Sequence, residues 1–424
     1  MIEKIDRVFN PVEILHKLKH HDYLVCLDSQ NNDRTLSRYT IITCDPVQTI
    51  TSDEVEVAEI FKTFDQLEHK SMYEELPFNG GFIGALSYHL LEDIYQIKLE
   101  HQHKLPKIIG GIYDQAIVID HQLEETYIFN QSGNLDILRD ALNYTPTAIT
   151  ASATNVELNI SASEYSSKID AIKDYIAAGD VYEINFTGNY HGTSTISSID
   201  LFSRFRQNNP APFAGLLAYE QMTIVSSSPE LFFELDNSKI KTQPMKGTAP
   251  RTNDEQLNSQ NLFELQNSSK ERSELTMIID LMRNDLSKIC LSDSVKVENP
   301  FMIKTYPTVY QQVTDVVGVL KPDVKYADII KALFPSGSIT GAPKLRSIEV
   351  IDELENYARE YYTGAIGYFG YNGKACFNVA IRTAIKCNEH INYSVGGAIV
   401  WDSTADSEFA ELKLKAKGFH DNTK

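Results

Sequence analysis

Apolar residues recur along this chain with two different periods. Tyr165, Ile169, Ile172 and Ile176 fall at intervals of four, three and four, one face of a helix. Ser161 and Glu164 read as the capping box that opens it, and Gly179 as the C′ residue that closes it. A second helix is predicted from Ser269 to Lys288, with Leu275, Ile278, Ile279, Met282 and Leu286 turned inward, and a last one near Thr404–Gly418. Pro343 suits the first turn of another. Between them lie strand-like runs at Val181–Phe186, Gly215–Tyr219, Thr223–Ser227, Leu231–Leu235 and Lys239–Gln243. Asn372-Gly373 predicts a hairpin joining Thr363–Tyr371 to Lys374–Ile385, followed by a third strand over Ile391–Trp401. Upstream, Tyr23–Leu27 and Ala116–Ile119 read as strands, and the glycines of Phe78–Gly84 mark tight turns. Tyr144–Asn159, rich in Thr, Ala, Ser, Pro and Asn, is the candidate linker. The pattern is α+β with mostly antiparallel pairing.

Composition narrows the classes. At 424 residues, with 42% hydrophobic and 23% charged residues, the chain can bury a sizeable core. No run approaches a membrane helix, and the N-terminus lacks a secretory layout. A net charge of −19 argues against nucleic acid and against an anionic membrane. The five cysteines are scattered and outside any C-x-x-C pair, as expected of reduced thiols in a cytoplasmic protein. None sits in a glycine-flanked nucleophile elbow, so no glutaminase chemistry is expected on this chain.

Seven motifs stand in a fixed order. They are Gly179-Asp180-Val181-Tyr182-Glu183-Ile184-Asn185, Ser227-Ser228-Pro229-Glu230-Leu231, Pro244-Met245-Lys246-Gly247-Thr248-Ala249-Pro250-Arg251 and Ile279-Asp280-Leu281-Met282-Arg283-Asn284-Asp285-Leu286. Gly337-Ser338-Ile339-Thr340-Gly341-Ala342-Pro343-Lys344, Ala380-Ile381-Arg382-Thr383 and Gly396-Gly397-Ala398-Ile399-Val400 complete them. Together they resemble the chorismate-utilising enzymes, the family that includes anthranilate synthase component I. The lysine at 246, where anthranilate synthases carry a small residue, is similar to the aminodeoxychorismate synthase component I branch. The resemblance implies two antiparallel β-sheets packed face to face with outer helices. It also implies an N-terminal region over 1–150 and a chorismate-binding catalytic region over 156–420, both in one compact unit.

On spacing alone, Glu408, Glu411 and Lys415 form an acidic helix face and Lys246 a surface lysine. The resemblance implies more. Lys246 becomes a nucleophile, which requires a neutral amine, and Glu230 the general acid. Glu274 and Glu411, supported by Glu408, become ligands of Mg2+, a cation that takes carboxylates together with water and substrate oxygens. Thr340, Tyr362, Arg382, Gly396, Gly397 and Lys415 become substrate contacts, Arg382 as a bidentate fork. Chorismate, ammonia, a separate glutamine amidotransferase subunit and a downstream aminodeoxychorismate lyase are the implied partners, with no lyase expected on this chain. Two departures stand out. Gln311 occupies the place of a histidine beside the ring, and Glu183 that of the base lysine of isochorismate and salicylate synthases. Leu27-Asp28-Ser29 only loosely resembles a tryptophan-sensing segment, so tryptophan feedback is not expected. The rival readings are anthranilate synthase component I and a catalytically silent partner that keeps the fold.

Overall fold

In a computed structural model, which describes residues 1–30, 38–67, 72–143, 152–306 and 309–423, the apolar alternation builds two antiparallel sheets. Among these residues one sheet has twelve strands and the other ten. Strand Ala365–Gly370 shows how period two assembles them. Its Ile366 and Tyr368 enter a core between the sheets with Val25, Ile83, Leu217 and Ile385. Its Ala365 and Phe369 turn the other way, to a second core under helices Val57–Asp65, Ser269–Ile289 and Tyr326–Leu333. A third core lies beneath helices Pro11–Leu18, Ala162–Ala178, Ser198–Asn208 and Ala405–Thr423, on the outer face of the twelve-stranded sheet. Helices therefore cover both outer faces.

The helical expectations hold closely. Ser161 and Glu164 close a reciprocal capping box on helix Ala162–Ala178, and Gly179 ends it at φ 82°. Helix Ser269–Ile289 is capped by Ser268 and buries all five residues expected to point inward. The last helix runs on to Thr423. Pro343 stands just before helix Lys344–Leu354 and not inside its first turn.

The strands bring corrections. Val181–Phe186 is the start of a longer strand, Glu183–Ser194. Of the candidate linker, residues 144–151 lie outside the described residues, and Thr154–Leu158 is a strand paired with Glu183–Ser194. Both sheets take strands from either side of that stretch.

Lys374–Ile385 is two strands, not one. Lys374–Val379 belongs to the ten-stranded sheet and Thr383–Cys387 to the twelve-stranded one. The chain crosses between them at Ala380–Arg382, where Arg382 takes φ 51°. Sequence hides this turn because a non-glycine residue makes it. The Asn372-Gly373 hairpin is present, with Gly373 at φ 75°. All five cysteines are free, and among the described residues no helix is long and apolar enough to cross a membrane.

Candidate active site

Lys246 lies at one end of the ten-stranded sheet, in edge strand Met245–Pro250, paired with Gln312 of strand Val309–Val319. Gly247, at φ 76°, inserts an extra residue before Thr248 pairs with Gln311. The hairpin Leu231–Asp236/Lys239–Gln243 pairs Leu231 with Gln243, and this returns Glu230 to the end of the sheet where Lys246 begins. The two residues do interact electrostatically, but not across adjacent strands as expected: strands Val309–Val319 and Lys239–Gln243 lie between theirs in the sheet.

Lys246 is not neutral in this arrangement. Its Nζ donates to Glu183 Oε1 at 2.6 Å, and the Glu183 side chain is wholly buried. Burial pulls the amine's pKa down, but Glu183, with Glu274 and Glu230 behind it, outweighs that and leaves it above the ordinary lysine value. The expected route to a free amine, burial lowering the pKa, is overturned by this partner. The pair instead offers a short path for the proton, from Nζ to the carboxylate it already touches. Among the described residues Glu183 Oε2 has no hydrogen-bond partner, and it keeps capacity to accept.

Glu230 has the opposite character. Burial pushes its pKa up to about 7, against the opposing pull of the Ser338 hydroxyl and Lys246. Ser338 Oγ donates to Glu230 Oε1 at 2.6 Å. The turn at Ser228-Pro229 is capped by Ser228 Oγ, which accepts from the Glu230 amide, so the Glu230 carboxyl is not used as a cap. A carboxyl that holds its proton near neutral pH is suited to protonating a leaving oxygen.

Carboxylates converge from two helices. Glu274, on helix Ser269–Ile289, is pushed up to about 7 by burial. Glu408 is buried, and Glu411 pairs with Lys415 at 2.8 Å on helix Ala405–Thr423. Lys270 acts electrostatically on all three, placing them around a common space. A Cβ on Gly397 would lie 3.5 to 3.8 Å from Lys415 Nζ, Glu408 Oε2 and Glu411 Oε1, so this glycine lies against the same space. The three glutamates do not close to within 4.8 Å as a set, and among the described residues His21, Cys44 and Asp45 do. An all-oxygen donor set that leaves room for water and a substrate carboxylate fits Mg2+, which needs only one or two carboxylates. Helix Ser269–Ile289 is fixed by a buried ion pair, Asp285 with Lys344, at 2.6 Å.

The remaining expected contacts divide. Arg382 is half-buried, and no carboxylate pairs with its guanidinium among the described residues; Tyr393 and Tyr306 stand near it. Tyr393 also neighbours Tyr362, which is buried. Thr340 has no free donor. Its hydroxyl donates to the Ser336 and Gly337 carbonyl oxygens and its amide to Gly337, so it shapes the loop. Helix-start amides are not offered there either, since the helix begins at Lys344. At Gly396 a Cβ would sit 2.4 Å from Thr187 Cγ2 and 2.7 Å from the Phe186 carbonyl oxygen. That glycine is required by strand packing, and its carbonyl accepts from Lys415 Nζ. Gln311 and Gln312 are both buried; among the described residues Gln311 Oε1 and both side-chain amide atoms of Gln312 lack a partner.

Sequence reasoning missed the pairing of Glu183 with Lys246 and the role of Ser338. Both residues lay inside quoted motifs, but nothing local shows which side chain meets which.

Residues 23–421 match the family model described as chorismate binding enzyme. The chain belongs to that family. It is 34% identical to aminodeoxychorismate synthase component 1 of Escherichia coli, covering 93% of this chain and 92% of the relative. It is 35% identical to the protein of that name from Klebsiella aerogenes, over 82% of this chain and 78% of the relative. Among solved structures, anthranilate synthase component I from Streptococcus pneumoniae superposes with a TM-score of 0.79 at 26% identity, covering 90% of this chain and 92% of that one.

The two glycines separate packing from chemistry in a family member of this kind. Gly396→Ala should cost about 1–3 kcal/mol of stability through overpacking. Gly397→Ala, facing the acidic space, should keep the melting temperature and weaken turnover. Thermal melts and an activity assay on both variants check this, and equal behaviour would contradict the placement.

Proposed function

We propose that this chain aminates chorismate to 4-amino-4-deoxychorismate, the reaction named by its aminodeoxychorismate synthase relatives. The observation that carries the proposal is the buried Lys246–Glu183 pair beside a Glu230 that holds its proton near neutrality. Lys246 passes its proton to Glu183, and the free Nζ adds to ring C2. Both ring double bonds shift by one position and the C4 hydroxyl departs as water with the proton of Glu230. Ammonia then adds at C4 and gives a proton to Glu230, both double bonds shift back and the C2–Nζ bond breaks, returning the amine of Lys246. Arg382 and Lys415 meet the substrate carboxylates. Lys246, Lys270 and Lys415 share their space with Glu274, Glu408 and Glu411, so in a chain of net charge −19 a bound cation would supply the positive charge that an incoming dianion needs.

Glu274, Glu408 and Glu411 would hold Mg2+, and the bound ion would neutralise a substrate carboxylate. Ammonia would come from glutamine through a separate glutamine amidotransferase subunit, and a lyase would take the product on to 4-aminobenzoate for folate synthesis in the cytoplasm. Incubation with chorismate, Mg2+ and ammonium, with and without lyase, tests the reading. The expected product is 4-aminobenzoate only when lyase is present. A fluorescent ortho isomer formed without lyase would favour anthranilate synthesis, and no turnover at high ammonium would favour a silent partner.

Replacing Glu274 with Gln removes one charged ligand from the acidic space. The Mg2+ concentration for half-maximal rate should rise about 10-fold or more, the scale on which changes at a metal site act. An unaltered metal titration would rule Glu274 out as a ligand.

A further inference from the structure

Arg359 is buried at 2% exposure, and neither the ring chemistry nor the acidic space uses it. Its guanidinium spends its donors on three segments at once. Nη2 donates to the Asn185 carbonyl oxygen at 2.7 Å, in the strand that begins with Glu183. Nη1 donates to the Ile339 carbonyl oxygen at 3.0 Å, in the loop between Ser338 and Thr340. Nε and Nη2 together grip Glu355, at 2.8 and 2.7 Å, just past the end of helix Lys344–Leu354.

Glu355 extends the grip. Its Oε1 accepts from both the Thr187 amide at 3.0 Å and the Thr187 hydroxyl at 2.6 Å, two residues beyond Asn185. One ion pair thus ties the strand that presents Glu183 to the loop that presents Ser338. Glu183 accepts from Lys246 Nζ, and Ser338 donates to the carboxyl of Glu230. The two acid–base partners of the reaction come from separate segments, and Arg359 is bonded to both.

We propose that Arg359, held by Glu355, is a positioning residue that sets the spacing between the Lys246–Glu183 and Glu230–Ser338 pairs. The Arg359 guanidinium donates to backbone carbonyl oxygens from a planar fork, a geometry that an ammonium cannot reproduce. A buried ion pair replaced as a whole by apolar side chains of similar volume is often neutral for stability. Its presence here is therefore better explained by geometry than by stability.

This inference rests on the reading of the site as a catalytic centre, which product analysis of the unaltered chain tests by itself. Three variants then test the positioning: Arg359→Lys, Arg359→Met, and the double change Arg359→Met with Glu355→Met. Each is measured for melting temperature, kcat and KM for chorismate at saturating ammonium, and the pH dependence of kcat/KM.

The lysine variant keeps a cation for Glu355 and should melt close to the unaltered protein. Its kcat should fall about 100-fold, the scale associated with a misplacement of about 1 Å. Its alkaline limb should also move, because Ser338 no longer aligns with Glu230. The double variant should melt near the unaltered protein too and share the kcat loss, and Arg359→Met alone should melt lowest. Normal kcat and an unmoved alkaline limb in a well-folded lysine or double variant would overturn the proposal. So would activity losses that merely track melting temperature across the three.

Discussion

Lys246→Ala is expected to lower turnover to 4-amino-4-deoxychorismate by on the order of 10³-fold or more, the scale seen when a covalent nucleophile is removed. The loss follows from where the amine sits. Its Nζ is already in contact with the carboxylate that would take its proton, and Glu230 stands ready to protonate the leaving oxygen. Alanine removes the C2 adduct and leaves Glu183 as a buried carboxylate without its cation, which is costly. Melting temperature should therefore drop as well, and the residual rate must be compared on folded protein. Slow amination at C2, giving an ortho product, is the expected remnant. Chromatographic identification of products together with single-turnover kinetics checks the claim, and an unchanged rate and product would remove Lys246 from the mechanism.

Glu230→Gln should lower kcat by about 10²–10⁴-fold, the range for a lost general acid. The unaltered chain should also lose kcat/KM as pH rises through about 7, because Glu230 acts in its protonated form. Stability should move in the same window. The folded pKa of about 7 lies above the ordinary 4.5, so the folded state binds this proton more tightly than the unfolded chain. Its favourable contribution is full below pH 4.5 and is lost as pH rises to about 7. Glutamine cannot lose a proton, so the melting temperature of Glu230→Gln should fall less between pH 5 and pH 8 than that of the unaltered chain. Parallel melting curves for the two proteins would show that Glu230 does not carry its proton into the neutral range.

Local pattern carried the helices further than it carried the strands. Capping residues and a 3.6-residue period are read from neighbours in sequence, and helices Ala162–Ala178 and Ser269–Ile289 lie close to where they were expected. Strand partners are set at long range, so Lys374–Ile385 read as one continuous strand although its halves lie in different sheets. The site shows the same division. Lys246 and Glu230 stood out because family motifs surround them and Glu274 because it matches the family's metal ligands, and both glutamates act electrostatically on Lys246. Thr340 stood out too, yet its donors are used within its own loop. Glu183 and Lys246 are 63 residues apart, and Ser338 and Glu230 are 108 apart. No spacing rule connects such pairs. They become visible only when the sheets and the loop before helix Lys344–Leu354 are assembled.

The stitch at Ala380–Arg382 means that the two layers meet the substrate with different groups. Amine and acid are carried by one layer; the proton acceptor Glu183 and the Gly396–Gly397 floor belong to the other, and the guanidinium of Arg382 hangs at the seam. The apolar filling formed by Val25, Ile83, Leu217, Tyr368 and Ile385 lies between the same two layers, in strands other than those that carry Lys246, Glu183 and Gly397. Enlarging or trimming one of those side chains is therefore expected to act on turnover only by shifting one layer against the other, with every catalytic side chain still present.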